Sequence, residues 1–285
     1  MPPTPRPRLR PRLRSRLGRR PLSAAAMALA ASAPLVPAAP SAAAEAPTAA
    51  PAATAAACPA DGFCEDFESQ TGTLPSGRWS AGAPNCSGSG SASVDSSVAR
   101  SGGKSLRIDG GGGYCNHVFA GTTLDDVDTS APFWARFHVR HTTALPAAHV
   151  TFAALRDSAD NGRDLRMGGQ NGALQWNRES DDATLPEQSP NGVSMSRPLP
   201  VGTWTCVEFR VDGSTGHLET WVDGTSVQGL AVDGTPTHDI DGQWLRRADW
   251  RPRLTDLRLG WESYGGETDT LWFDDVAVGG SRIGC

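Results

Sequence analysis

The segment Arg163–Gln170 holds the residue types best suited to chemistry. On a regular strand, Asp164, Arg166, Gly168 and Gln170 project to one side, while Leu165 and Met167 face a core. Glycines between Arg166 and Gln170 would let a ligand approach the backbone. A guanidinium fork matches a sugar carboxylate with two parallel hydrogen bonds. The same pattern also suits a surface arginine and a loop glutamine. His149 precedes Val150-Thr151-Phe152. With Val150 and Phe152 inside, His149 turns outward, toward the same groove or toward solvent. Tyr264, one of two tyrosines with Tyr114, shares a strand face with Glu262. It could transfer a proton or simply pack as an amphipathic ring. Asn177-Arg178-Glu179-Ser180-Asp181-Asp182 beside Trp176 is either a solvated turn held by its own Asx bonds or a rim that positions sugar hydroxyls.

One reaction class lacks its signature. Retaining glycoside hydrolysis needs two carboxylates about 5 Å apart, which sandwiches of this architecture set on one strand as Glu-x-Asp-x-x-Glu. Glu267-Thr268-Asp269 begins that spacing, but Trp272 stands where the second glutamate belongs. The hydrolase motif is absent.

The elements that must hold these groups are strands. Phe133, Ala135, Phe137 and Val139 alternate with Trp134, Arg136, His138 and Arg140, the pattern of a half-buried strand. Val207, Phe209 and Val211 alternate with Glu208 and Arg210, and Leu218–Val222 runs into the hairpin signal Asp223-Gly224. Leu257 and Leu259 alternate with Arg258, Gly260, Glu262 and Tyr264, and Leu271–Val278 is the last clear strand. Strands broken by Gly, Pro, Asn and Asp turns over this length predict an all-β fold, a two-sheet antiparallel sandwich of the jelly-roll kind. One sheet face of such a sandwich can stay open as a groove for an extended polymer.

Composition bounds the setting. Residues 1–44 carry eight arginines and no acid, followed by an apolar, Ala-rich run, the pattern of an export signal. Pro34, Pro37 and Pro40 break that run, which is too short to span a membrane. Residues 45–57 are almost all Ala, Pro and Thr and read as a linker, leaving 58–285 as one domain. Taking eight arginines from 26 basic residues leaves 18 against 31 acidic ones. So acidic a secreted chain argues against nucleic acid or anionic membrane as partner. A polysaccharide partner and a monomeric chain are expected. Lys104 is the sole lysine, which nearly removes lysine-based covalent chemistry. The six cysteines lie at Cys58, Cys64, Cys86, Cys115, Cys206 and Cys285. In an exported chain they favour disulfides, with fifteen pairings open, and no Cys-x2-Cys pair suggests a metal. Glu68 and Asp274 could offer hard oxygen ligands to a structural calcium ion, its shell completed by carbonyls of the turn Ser101–Lys104.

Several strings occur together in order: Tyr114-Cys115-Asn116-His117, His149-Val150-Thr151-Phe152, Leu165–Gln170, Asn177–Pro186, Ser189–Gly192, Gly260–Tyr264 and Trp272–Asp275. With them the chain, from about Asp61 to Cys285, closely resembles the cellulose-induced secreted protein family of cellulolytic fungi and its bacterial relatives, itself similar to glucuronan lyases. The resemblance implies a concanavalin-type jelly roll with calcium (Ca2+) bridging its terminal strands through Glu68, Ser101 and Asp274. Lys104 stands where the family can have Asn, so only its backbone carbonyl could serve. The resemblance also puts groove residues at His149, Arg166, Gln170, Asp182 and Tyr264, and disulfides at Cys86–Cys115 and Cys206–Cys285, with Cys58–Cys64 a local addition. Asp164 replaces a histidine of the fungal pattern.

These expectations combine into a secreted lyase that cleaves a β-linked polyuronic acid such as glucuronan. Arg166 and Gln170 would stabilise charge on the sugar carboxylate, helped by Asn177, and His149 or Tyr264 would take the proton. Arg178, Asp182 and Glu262 would contact substrate. The rival is a non-catalytic carbohydrate-binding protein that uses the same groove.

Overall fold

Alternating apolar residues become sheet faces only when a second sheet closes over them, and here two sheets do so. The computed structural model describes residues 58–84 and 86–285. The expected export signal (1–44) and linker (45–57) lie outside the described residues. One sheet contains β1 (Phe63–Glu65), β3 (Ser91–Asp95), β4 (Ser105–Gly110), β6 (Pro132–His141), β11 (Thr205–Asp212), β12 (Leu218–Val222), β13 (Thr225–Val232) and β15 (Asp269–Gly279). Their order is β13-β12-β11-β6-β15-β4-β3, with β1 beside β15. The other sheet contains β2 (Ser80–Gly82), β5 (Asn116–Thr123), β7 (Val150–Asp157), β8 (Arg163–Gln170), β9 (Ala173–Arg178), β10 (Ala183–Leu185) and β14 (Asp256–Ser263), ordered β10-β9-β8-β7-β14-β5-β2. All named pairings are antiparallel. The result is the expected jelly-roll sandwich. Among the described residues no helix is long and apolar enough to cross a membrane.

The core is aromatic and spans both layers. Phe137 from β6 meets Phe152 from β7 edge-on at 6.3 Å and Phe273 from β15 at 5.7 Å. Trp176 from β9 stacks edge-on against Phe209 from β11 at 5.0 Å, and its indole N–H donates to Thr220 Oγ1 at 2.9 Å. Each such ring contributes roughly 2–3 kcal/mol by leaving water. Leu165 and Met167 lie in this core as the alternation requires.

The outer face of β6 departs from expectation. Trp134 and Arg140 stay partly open, but Arg136 and His138 are buried. The chain's end covers them. Arg136 donates to the carbonyl oxygens of Asp275 and Gly284, and buried Glu208 accepts from the N–H groups of Ile283 and Gly284. Cys206–Cys285 ties that tail down, and Cys58–Cys64 and Cys86–Cys115 complete three disulfides with no free cysteine among the described residues. Three indoles of this outer face are each roofed by a guanidinium: Arg210 over Trp134, Arg107 and Arg140 over Trp272, and Arg282 over Trp221.

Phe137 is one of the rings that join the layers, so Phe137→Ala should lower the unfolding free energy by about 3–5 kcal/mol, read from urea midpoints at constant slope.

Candidate active site

The open face of the seven-stranded sheet is set by register. β8 pairs β9 without a shift, which puts Arg166 opposite Asn177 and Gly168 opposite Gln175. β14 pairs β5 without a shift, which puts Glu262 opposite His117. Between them β7 carries irregularities on both sides, near Phe152, and these keep Thr151 opposite both Glu262 and Gly168. Gly168 serves this close approach and not a ligand: a Cβ there would overlap the Val150 carbonyl oxygen. The expectation that the β8 glycines admit substrate gives way to that packing reason.

Across this face runs one chain of polar contacts. Asn177 Nδ2 donates to Asp182 Oδ1 at 2.8 Å, which aims the amide oxygen of Asn177 at Arg166. Arg166 donates Nε and Nη2 to that oxygen at 3.0 and 2.5 Å, and Nη1 to Glu262 Oε1 at 2.9 Å. Thr151 Oγ1 also reaches Glu262 Oε1, at 3.4 Å. Arg166 and Glu262 are both buried. On the far side of Glu262, His117 Nε2 lies 3.5 Å from Oε2. His117 Nδ1 sits 2.9 Å from the carbonyl oxygen of Pro84. A carbonyl only accepts, so Nδ1 carries a proton, and Nε2 is left buried beside the Glu262 carboxylate with no hydrogen-bond partner. The Tyr264 ring packs edge-on to His117 at 5.7 Å and to the exposed Tyr114 at 6.0 Å. A cavity of about 470 Å³ opens here, lined by His117, Arg156, Asp164, Arg166, Glu262 and Tyr264 among others.

The titration states follow from these surroundings. Burial and the negative Glu262 push the Tyr264 phenol above its ordinary value, although Arg166 pulls the other way, so it keeps its proton at neutral pH. Burial, with the positive Arg166 adding to it, pushes His149 down to about 4, so its imidazole is neutral. Its Nε2 is buried without a hydrogen-bond partner.

The expected residues therefore divide. Arg166, Asn177, Asp182, Glu262 and Tyr264 belong to one assembly, with His149 close enough to feel the charges of Arg166, Glu262 and Asp182. Arg166 is not a free fork, because Asn177 and Glu262 already occupy it. Of the arginines lining the cavity, Arg156 alone has no side-chain partner among the described residues; Arg163 pairs with Glu179 at 2.9 Å. Gln170 shares the Arg166 face but stands at the far end of β8, opposite Ala173, roughly 13 Å along the strand. Arg178 is a correction. It lies on the Trp176 side of β9, clamped by Asp181 at 2.8 and 2.7 Å and by the Trp244 carbonyl, beneath the Trp244 ring. It faces no groove. Asp164 is buried and held by both terminal nitrogens of Arg258 at 3.0 and 2.5 Å. His117 had no role assigned from sequence. Its place beside Glu262 comes from strand pairing over 145 residues, for which no local pattern exists.

The expected calcium ligands do not turn toward one ion. Glu68 Oε1 accepts the N–H groups of Gly103 and Lys104, and Asp274 Oδ2 accepts those of Arg100 and Ser101. Ser101 Oγ donates to Asp275. The Lys104 ammonium itself occupies nearby backbone carbonyls. The residues present do not fit a divalent cation. Among the described residues the only trio of metal-ligating type is Cys86, Cys115 and His117, whose two sulfurs are bonded to each other.

The family profile places this antiparallel jelly roll among polysaccharide-lyase-like proteins. The chain belongs to the Cip1-like core-domain family of that group, whose profile matches residues 66–281. It is 39% identical to a solved structure described as cellulose-induced protein Cip1, covering 78% of this chain and 99% of that one, with a TM-score of 0.70. A more distant likeness is an endo-β-1,4-glucuronan lyase from the fungus Trichoderma reesei, at 17% identity and a TM-score of 0.46, covering 71% of this chain and 90% of that one. No curated protein matches the chain.

The low pKa of His149 carries a stability consequence. In the unfolded chain a histidine titrates near 6.5, whereas folded His149 titrates at about 4, so the unfolded state takes up the proton first as pH falls. The stabilisation is complete above 6.5 and is lost as pH drops toward 4. Urea midpoints should fall between pH 7 and pH 4.5, and His149→Gln should make that fall shallower.

Proposed function

We propose that the chain is a polysaccharide lyase that cleaves a β-linked polyuronic acid, glucuronan in the first instance, by β-elimination. One observation carries this reading: an imidazole with Nδ1 committed to a backbone carbonyl and Nε2 unpartnered shares one cavity with a protonated phenol and a buried guanidinium. β-Elimination removes the proton on C5, next to the sugar carboxylate, and its electrons form the C4–C5 double bond as the 4-linked oxygen leaves. The base must be neutral at working pH, and His149 meets that condition; His117 Nε2, unpartnered and lining the cavity, is the second nitrogen placed to take the proton. Tyr264 holds the proton that the departing oxygen requires. Negative charge builds on the carboxylate in the transition state, where the field of Arg166 stabilises it. Arg156, whose fork is open, binds that carboxylate in the ground state, and Gln170 serves a neighbouring sugar along β8. Acid–base help of this kind is worth on the order of 10²–10⁴ in rate.

A second reading has its own support. Because Asn177 and Glu262 fill the Arg166 fork and Tyr114 presents an exposed ring, the same face suits a protein that only holds carbohydrate.

Purified protein given glucuronan should generate unsaturated uronates, followed by ultraviolet absorbance. His117→Gln and Tyr264→Phe should each lower the rate by about 10²–10⁴ while calorimetric binding of oligoglucuronate persists. Binding without any absorbance change in the unaltered protein would select the binding-only reading.

A further inference from the structure

We infer that the ammonium of Lys104 is the resident cation of the strap joining the segment after β1 to the strands β4 and β15, and that this strap needs no divalent metal. The chain has 26 basic residues, and Lys104 is the only lysine among them. Its Nζ donates to the carbonyl oxygens of Glu68 at 2.9 Å and Gln70 at 2.7 Å. Its own backbone N–H, with that of Gly103, holds Glu68 Oε1 at 2.7 and 2.8 Å. Lys104 and Glu68 thus clasp each other twice with opposite polarity, ammonium on carbonyl and carboxylate on amide. Gly102 makes the clasp possible. It adopts a left-handed φ of 56°, and a Cβ there would overlap the Glu68 carboxyl group.

A calcium site demands the reverse arrangement. Six to eight oxygens must turn inward on one ion at 2.3–2.6 Å. Here Glu68 Oε1 and Asp274 Oδ2 are each turned toward two backbone N–H groups, and Asp274 Oδ1 accepts a third, from Asp275. A divalent ion would have to displace an ammonium that cannot diffuse away. Lysine suits the post where arginine does not, since a compact point charge with three donors fits between converging carbonyls and a planar fork does not. The tether also makes the cation immune to chelation.

The test uses the secreted protein as purified. Calcium content by mass spectrometry should be far below one equivalent, and the melting temperature should be the same in EDTA and in excess calcium chloride. Lys104→Met keeps the aliphatic stem but removes the charge and its two hydrogen bonds, and should lower the melting temperature by roughly 3–8 °C in both buffers. Stoichiometric calcium, or a melting temperature of the unaltered protein that EDTA lowers and calcium restores, would overturn the inference. So would a Lys104→Met protein that melts like the original. The chelation arm decides the matter even if Lys104→Met does not fold.

Discussion

The candidate site depends on one buried ion pair, Arg166 with Glu262. Removing two charges from water is costly, and their attraction offsets the cost only when the remaining donors and acceptors are also filled. Here Asn177 takes two guanidinium nitrogens, Asp182 fixes the amide of Asn177, and Thr151 donates to the carboxylate. The pair spans β8 and β14, which are not neighbours, so β7 must pass between them with its register shifted on both sides. The irregularity in β7 and the absence of a side chain at Gly168 are both conditions for that ion pair to meet.

The second condition lies outside the sheet. His117 keeps a proton on Nδ1 because the Pro84 carbonyl stays within reach of it. That carbonyl belongs to a loop pinned by Cys86–Cys115, by the Ser87–Asn116 bridge and by the hydrogen bond from the His117 amide to Ser87. The disulfide therefore does more than restrain the unfolded chain. It sits two residues from a proton-transfer candidate and keeps that residue's hydrogen-bond acceptor in place.

Much of the architecture was legible in the residues. The segment Arg163–Gln170 forms a single strand, Leu165 and Met167 enter the core, and so do Phe133, Ala135, Phe137 and Val139. Period-two patterning reports which residues share a face, and it did so correctly for Arg166 and Gln170. It does not report what lies across the strand. Arg178 looked like a rim residue because it adjoins acidic neighbours, yet parity with Trp176 turns it inward. His117 was passed over because its partner is 145 residues away, and Arg166 looked available because its partners arrive from β9 and β14. Lys104 stands out in the sequence as the sole lysine, but the polarity reversal around it is visible only in three dimensions.

The roofed indoles of the other sheet carry a last consequence. Trp134, Trp272 and Trp221 would otherwise offer flat platforms for sugar rings, yet each lies under a guanidinium that its own chain supplies. A saccharide approaching from that side meets a cation where it would need a bare π-face. The two sheet faces therefore differ in what they present: guanidinium groups over indoles on one side, and an open cavity beside Tyr264 on the other.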